Sequence, residues 1–422
     1  MTRKTNIPQG YKGSPLGIIP KEWEVKRLGD VAEVKGGYAF DSKKMSDEIQ
    51  KYQIVKMGNL YGGILDLSRC RSYWESINKI EKDFLLKEGD IVITLTGTVG
   101  KRDYGNSVQI KKEKNLLLNQ RNARIVSKAI DNNYLFFVVN SERFLHQFYY
   151  SSRGGTGSQT NVGTSDIEDI RIIVPPLEEQ EKISNIINLW DTAIEKQSKL
   201  NEKLKLRKRA LMQQLLTGKK RLPEFTEEWK KSTYSTILTE VKRSLKWDED
   251  ELYKLISVSR RSEGLFFRES LYGREIATKN LRPAKTGDFL ISKMQIVHGA
   301  SGLVTDDFDD AKISGSYISL VSKDPNILDI RYYNLWSQMP IFYHQTYVSS
   351  FGVHIEKMTF DLNTFMSYNM PLPSINEQYA IVSFMESINK EIELAKEKLV
   401  NLQSQKRGLM QQLLSGKKRI TI

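Results

Sequence analysis

The stretch nearest to a reactive site is Gly97-Thr-Val-Gly-Lys101, which at first sight resembles a phosphate-binding loop. Such a loop needs an earlier glycine at fixed spacing, so that backbone N–H groups converge on phosphate. It also needs Ser or Thr after the lysine to reach Mg²⁺. The earlier glycine is missing here, and Arg102 stands where the hydroxyl belongs. No Asn-Pro-Pro-aromatic or Asp-Pro-Pro-aromatic tetrapeptide occurs, so the usual amino-methyltransferase site is absent. There is no nucleophile elbow and no zinc helix. Cys70 is alone, which excludes an internal disulfide framework and a multi-cysteine zinc site. His146, His298, His344 and His354 are scattered and form no dedicated metal set. The remaining chemistry is non-covalent. A net charge of +13 and a pI near 9.4 point to a polyanionic partner, most simply nucleic acid.

The elements that must position such contacts belong to a chain of 422 residues, enough for two or three domains. With 39% hydrophobic and 27% charged residues, a folded chain is expected. No run approaches the ~18 apolar residues of a membrane span, and no apolar signal core follows Met1-Thr-Arg-Lys. A soluble, cytoplasmic protein is the expectation.

The chain contains itself twice. Residues 208–221, KRALMQQLLTGKKR, and 406–419, KRGLMQQLLSGKKR, agree at 12 of 14 positions at an offset of 198. Pro175…Glu179-Gln180 matches Pro373…Glu377-Gln378 at the same offset. A Glu-Trp element opens each half, at Trp23 and, 206 residues later, Trp229. Each half closes on a segment that reads as one long helix. Prolines mark its start, acidic residues suit its N-terminus, and Gly218 or Gly416 followed by Lys-Lys-Arg suits its end. About 40 residues make roughly 60 Å of helix.

Spacings of 3 and 4 persist along both segments and predict a coiled-coil seam. In the first it runs Ile183, Ile187, Trp190, Ile194, Gln197, Asn201, Leu204, Lys208, Leu211, Leu215. In the second it runs Ile381, Met385, Ile388, Ile392, Ala395, Leu399, Leu402, Lys406, Leu409, Leu413. A duplicated chain tends to mimic a twofold dimer, which makes the two helices antiparallel. The expected fold is α+β. Two similar mixed α/β domains, 1–174 and 222–372, are separated by long antiparallel coiled-coil helices at 175–221 and 373–422, in a pseudo-twofold internal repeat.

The variable stretches share a frame. Lys87-Glu-Gly-Asp90 and Lys285-Thr-Gly-Asp288, again 198 apart, each precede a strand-like run. Ser151-Ser152-Arg153-Gly154 matches Ser349-Ser350-Phe351-Gly352. Charge differs, however. Residues 222–372 hold 18 basic and 20 acidic side chains, yet nine of the basic ones fall within 254–293.

Taken together, these residues resemble the specificity subunits of type I restriction–modification enzymes. The carriers are Ile-Pro-Lys-Glu-Trp23-Glu-Val-Lys-Arg-Leu-Gly-Asp30, Lys-x-Gly-Asp90, Thr-Gly-Thr-Val-Gly100, Leu-Asn-Gln120, Pro-Pro-Leu-Glu-Glu-Gln180 and the repeated Leu-Met-Gln-Gln-Leu-Leu-Thr-Gly218. The resemblance covers the whole chain. It implies two target-recognition domains, each reading half of a split DNA site. It also implies helices that act as a ruler and dock two methyltransferase subunits, with two restriction (motor–nuclease) subunits joining optionally. The subunit itself then carries no catalysis and no cofactor; S-adenosylmethionine, ATP and Mg belong to its partners. Lys293-Met-Gln-Ile-Val-His298-Gly replaces the glycine loop in the second half, so its contacts do not follow from the first. A coiled-coil scaffold or a stand-alone DNA-binding protein is the competing class, and a free-standing nuclease a third.

Within that reading, Arg favours guanine edges and Asn or Gln favours adenine. The candidate base readers are Lys101, Arg102 and Tyr104 after the glycine loop, and Arg153, Gln159 and Asn161 in the polar stretch 151–164. In the second half they are Arg260, Arg261, Arg268, Lys293, Gln295 and His298. Gln120 reads as frame. The Lys-Lys-Arg ends (219–221 and 417–419) either balance the helix dipole or meet phosphate or an acidic partner surface.

Overall fold

The computed structural model describes residues 7–154, 159–355 and 358–420. The chain divides into two compact units, 1–197 with 398–422, and 198–397.

In the first unit the strand Ile91–Thr94 lies inside a four-stranded antiparallel sheet. It is flanked by Ser107–Gln109 and Asn122–Ser127, with Ala32–Gly36 at the edge. All four residues of Ile91–Thr94 are buried. The Gly-Asp turn predicted before it is present. Gly89 takes a left-handed φ of 91°, and the Asp90 carboxylate accepts the Lys87 N–H at 2.8 Å. Helices Asn132–Val139 and Glu142–Tyr150 follow, the first capped by Asp131. Strand Arg171–Val174 then pairs with Glu24–Arg27 and leads into the long helix. A smaller sheet, in which Leu116–Leu118 runs parallel to Tyr52–Val55, completes the unit.

The second unit repeats this frame. Phe289–Ser292, again fully buried, sits between Ser301–Leu303 and Tyr317–Ser322, with Leu238–Glu240 at the edge. Gly287 has φ 89°, and Asp288 accepts the Lys285 N–H while pairing with Arg243. The units differ in their second sheet. Here it has four strands, in which a long hairpin, Leu252–Val258 against Leu265–Tyr272 with a bulge between Leu255 and Ile256, is joined by Lys312–Ser314 and Leu281–Pro283. The hairpin's outer strand is exposed along most of its length, including Phe266, Phe267 and Arg268.

The long helices run Leu177–Leu216 and Ile375–Leu414, 40 residues each. Within the first unit Asp191 pairs with Lys406 at 2.5 Å and Glu179 with Arg419 at 2.8 Å, so the two segments are antiparallel. Within the second, Arg207 with Glu391 and Arg221 with Glu377 give the same direction. All 20 predicted seam residues are buried or half-buried, Gln197, Asn201, Lys208 and Lys406 included. The seam also serves the domain cores. Ile183, Ile187 and Leu413 join the cluster around Trp23 and Tyr134, and Leu204, Leu215, Ile381, Met385, Ile388 and Ile392 join that around Tyr234 and Phe289.

The three sequence echoes meet at one place in each unit. In the first, the buried Glu179 carboxylate accepts the Trp23 indole N–H at 2.8 Å and a forked pair of bonds from Arg419. In the second, Glu377 accepts from Trp229 at 2.9 Å and from Arg221 at 2.6 and 2.7 Å. Gly416 and Gly218, both at φ 70°, end the helices with matching hydrogen bonds from two residues on, and each packs against its unit's tryptophan. The neighbouring glutamine ties the helix start to the domain. Gln180 accepts the Asp131 N–H at 2.8 Å, as Gln378 accepts that of Asp329 at 2.9 Å. Breaking such a buried pair by removing one partner costs roughly 3–5 kcal/mol, because the other charge stays behind uncompensated.

Candidate nucleic-acid interface

The first unit gathers two stretches that lie more than 50 residues apart in sequence. Strand Thr96–Thr98 pairs antiparallel with Gln159–Asn161, which in turn pairs with Arg153–Gly154. Thr160 is buried while Gln159 and Asn161 are exposed, as strand alternation requires. Thr96 donates to the Asn161 side-chain oxygen at 3.1 Å and fixes which way that amide faces. The Arg153 side chain lies outside the described residues; only its backbone is placed.

Beyond the strand the chain turns at Gly100, where φ is 76° and the Lys101 N–H reaches the Thr98 carbonyl. The turn is closed by Asp103, which accepts both the N–H and the hydroxyl of Thr98 at 2.9 and 2.7 Å. The backbone N–H first, then the hydroxyl, holds the Asp103 carboxyl below its usual pKa. Since that N–H already serves a carboxylate of the chain itself, the loop is no phosphate cradle. Lys101 and Arg102 are exposed, with the Arg102 guanidinium 5.2 Å from the centre of the Tyr149 ring.

Tyr104 is a correction. Its side chain is 4% exposed and packs on Phe148 and Tyr149, whose hydroxyl donates to the Tyr104 carbonyl at 2.8 Å. A side chain on Gly97 would collide with the Tyr104 ring, so that glycine makes room for it. The Tyr104 ring supports the loop from within, unlike the exposed Lys101 and Arg102.

In the second unit, Arg260 donates to the Gln295 side chain at 2.7 Å, which joins the turn 260–262 to the segment 293–298. Arg260 and Arg261 are exposed; Lys293, Gln295 and His298 are half-buried. Arg261 and Ser262 are consecutive non-glycine residues in the left-handed region, at φ 60° and 55°. Each costs roughly 1–3 kcal/mol and persists only where its surroundings hold it. Here the Ser262 N–H donates to the Gly299 carbonyl at 2.8 Å, and its hydroxyl bonds that of Tyr343 at 2.7 Å. Arg268 stands apart on the exposed hairpin strand, where its ion pair is with the adjacent Glu269.

The helix ends resolve partly. Arg221 and Arg419 serve the buried Glu377 and Glu179, while Lys219, Lys220, Lys417 and Lys418 are exposed. Sequence reasoning passed over the exposed aromatic pair Phe266 and Phe267. It also passed over Lys208 and Lys396, which line a groove of the second unit together with Arg261. A lysine at a seam position was the one signal for the latter. Among the described residues, no helix is long and apolar enough to cross a membrane.

Comparison with known proteins accounts for this arrangement. The family described as "Type I restriction modification DNA specificity domain" matches twice, over residues 20–206 and 216–404. The MjaVIII type I restriction enzyme specificity subunit of Methanocaldococcus jannaschii is 29% identical over 227 residues, covering 51% of this chain and 50% of that protein. The EcoBI specificity subunit of Escherichia coli is 21% identical over 448 residues, covering 95% and 87%. The crystal structure of the HsdS subunit from Thermoanaerobacter tengcongensis superposes with a TM-score of 0.51 at 16% identity, over 95% of this chain and 98% of that one, a likeness of fold. The chain belongs to the type I restriction–modification DNA specificity family and carries its domain twice.

Proposed function

We propose that this chain is the DNA-recognition subunit of a type I restriction–modification complex, and that each variable domain reads one half of a split, asymmetric site on double-stranded DNA. The observation that carries the reading is one framework used twice with two different surfaces. The Trp–Glu–Arg clasp and the four-stranded sheet recur, whereas the glycine loop around Arg102 has no counterpart in the turn around Arg260. In this reading residues 1–174 and 222–372 are the reading domains. The first uses Lys101, Arg102, Arg153, Gln159 and Asn161, and the second Arg260, Arg261, Arg268, Lys293, Gln295 and His298. Catalysis, S-adenosylmethionine, ATP and Mg reside on the partners, two methyltransferase subunits and optionally two restriction subunits. The complex works in the cytoplasm.

Methylation-aware sequencing of DNA from cells that express this chain with its methyltransferase partner tests the proposal. A single bipartite motif is the expected result, and unmodified DNA would overturn it. The helices are proposed to fix the spacer. Four residues inserted near Ser198–Leu200 add about 6 Å of helix, so the spacer should lengthen by about two base pairs while both half-sequences persist. A rewritten half-sequence with an unchanged spacer would refute the ruler.

A further inference from the structure

Lys406 and Lys208 occupy the same seam position of the two helices, 198 residues apart. Their surroundings differ. Lys406 is neutralised by Asp191 and lies 5.8 Å from the centre of the Phe137 ring. At the position equivalent to Asp191 the second unit has Asn389, which removes the carboxylate. Lys208 is half-buried, has no acidic partner among the described residues, and feels the charge of Lys396. Burial first, and Lys396 second, hold its ammonium below the usual lysine pKa. A cation kept partly desolvated beside another cation is costly unless something anionic completes it.

Space for such a group is present. Lys208, Arg209, Lys396 and Arg261 line one groove of about 980 Å³ in the second unit, with Asn389 and Tyr343 in its wall. Arg261 reaches it from the strained turn, and Tyr343 is the residue that anchors that turn through Ser262. Glu263 and Glu393 also line the groove, against five basic side chains once Lys205 is included; Lys205 already pairs with Glu202.

We propose that this groove seats the phosphodiester backbone of the bound DNA, with Lys208 and Lys396 as phosphate ligands beside Arg261 of the reading turn, and that the first unit has no equivalent seat because Asp191 occupies its lysine. The proposal rests on the DNA-recognition reading above. A phosphate contact adds affinity without sequence information, so its signature is salt dependence at constant motif.

The test uses the full chain with its methyltransferase partner and a duplex carrying the motif found by sequencing, titrated across salt concentrations. Lys208→Gln should flatten the slope of log affinity against log salt by about 0.9, and Lys396→Gln by a similar amount, with the motif unchanged. Asn389→Asp gives the groove the carboxylate of the first unit. It should flatten the slope likewise while raising the thermal midpoint, a combination that a purely structural lysine would not produce. Wild-type slopes in both Lys208→Gln and Asn389→Asp would overturn the groove. A wild-type complex with no motif-selective binding would instead remove the reading beneath it.

Discussion

The two units share the residues that hold each domain to its helices and part company where they face outward. Glu179 and Glu377 sit in the same clasp, down to the indole and the forked guanidinium. Asp131 and Asp329 cap equivalent helices, and each donates its N–H to the equivalent glutamine. Yet the first unit offers a three-stranded sheet with a glycine turn, and the second a strained turn locked to Gln295. Side chains kept in both copies are therefore framework, however polar they look. Side chains that differ are where the copies have been free to take separate tasks. The seam lysines sharpen the point, because one residue type at one position is neutralised in the first unit and left open in the second.

The largest effect should come from the clasp. Glu377→Gln and Glu179→Gln should each destabilise their unit by about 3 kcal/mol, read from urea unfolding, since each strands a partly buried arginine. A large difference between the two losses would break the equivalence of the units. Next come the outward faces. Arg102→Ala with Gln159→Ala should weaken binding by about 1–3 kcal/mol for each base pair read, and only at the first half-sequence. Loss at both halves in a competition assay would contradict the division of labour. Asn389→Asp should stabilise the second unit by up to about 1 kcal/mol in thermal unfolding, as a partly exposed new ion pair does. Tyr104→Phe, the smallest, should leave the motif unchanged in methylation sequencing; an altered motif would return Tyr104 to the reading face.

The helices were legible in the sequence because their signals are local. Proline, acidic first turn, seam period and Gly-Lys-Lys-Arg stop all lie within the segment, and the observed spans Leu177–Leu216 and Ile375–Leu414 fall inside the expected ones. The Gly-Asp turns and the strands after them were legible for the same reason. What escaped is decided at a distance. Tyr104 beside Arg102 has the composition of a reader, but Tyr149, 45 residues on, buries it. Arg419 reads as a helix-end charge until it meets Glu179, 240 residues earlier in the chain. Lys208 looks like a tolerated lapse in the seam, and only the exchange of Asp191 for Asn389 shows that its neutralising partner is gone. The left-handed backbone at Arg261 and Ser262 carries no glycine to announce it.

The clasp on Glu179 also bears on the order in which the chain can fold. The second unit is one continuous stretch, 198–397, and all its core residues have been synthesised once that stretch has emerged. The first unit begins earlier but needs Leu413, Leu414 and Arg419 to close its core and its clasp. Those contacts span most of the chain, and long loops must be closed before such contacts can form. During synthesis, at about 5–20 residues per second, the unit that starts first is thus the one that finishes last. Until residues 398–419 arrive, Glu179 and the indole of Trp23 wait without their arginine, and the apolar faces of Ile183 and Ile187 without Leu413. The interval of greatest exposure to aggregation or proteolysis therefore falls on the N-terminal unit.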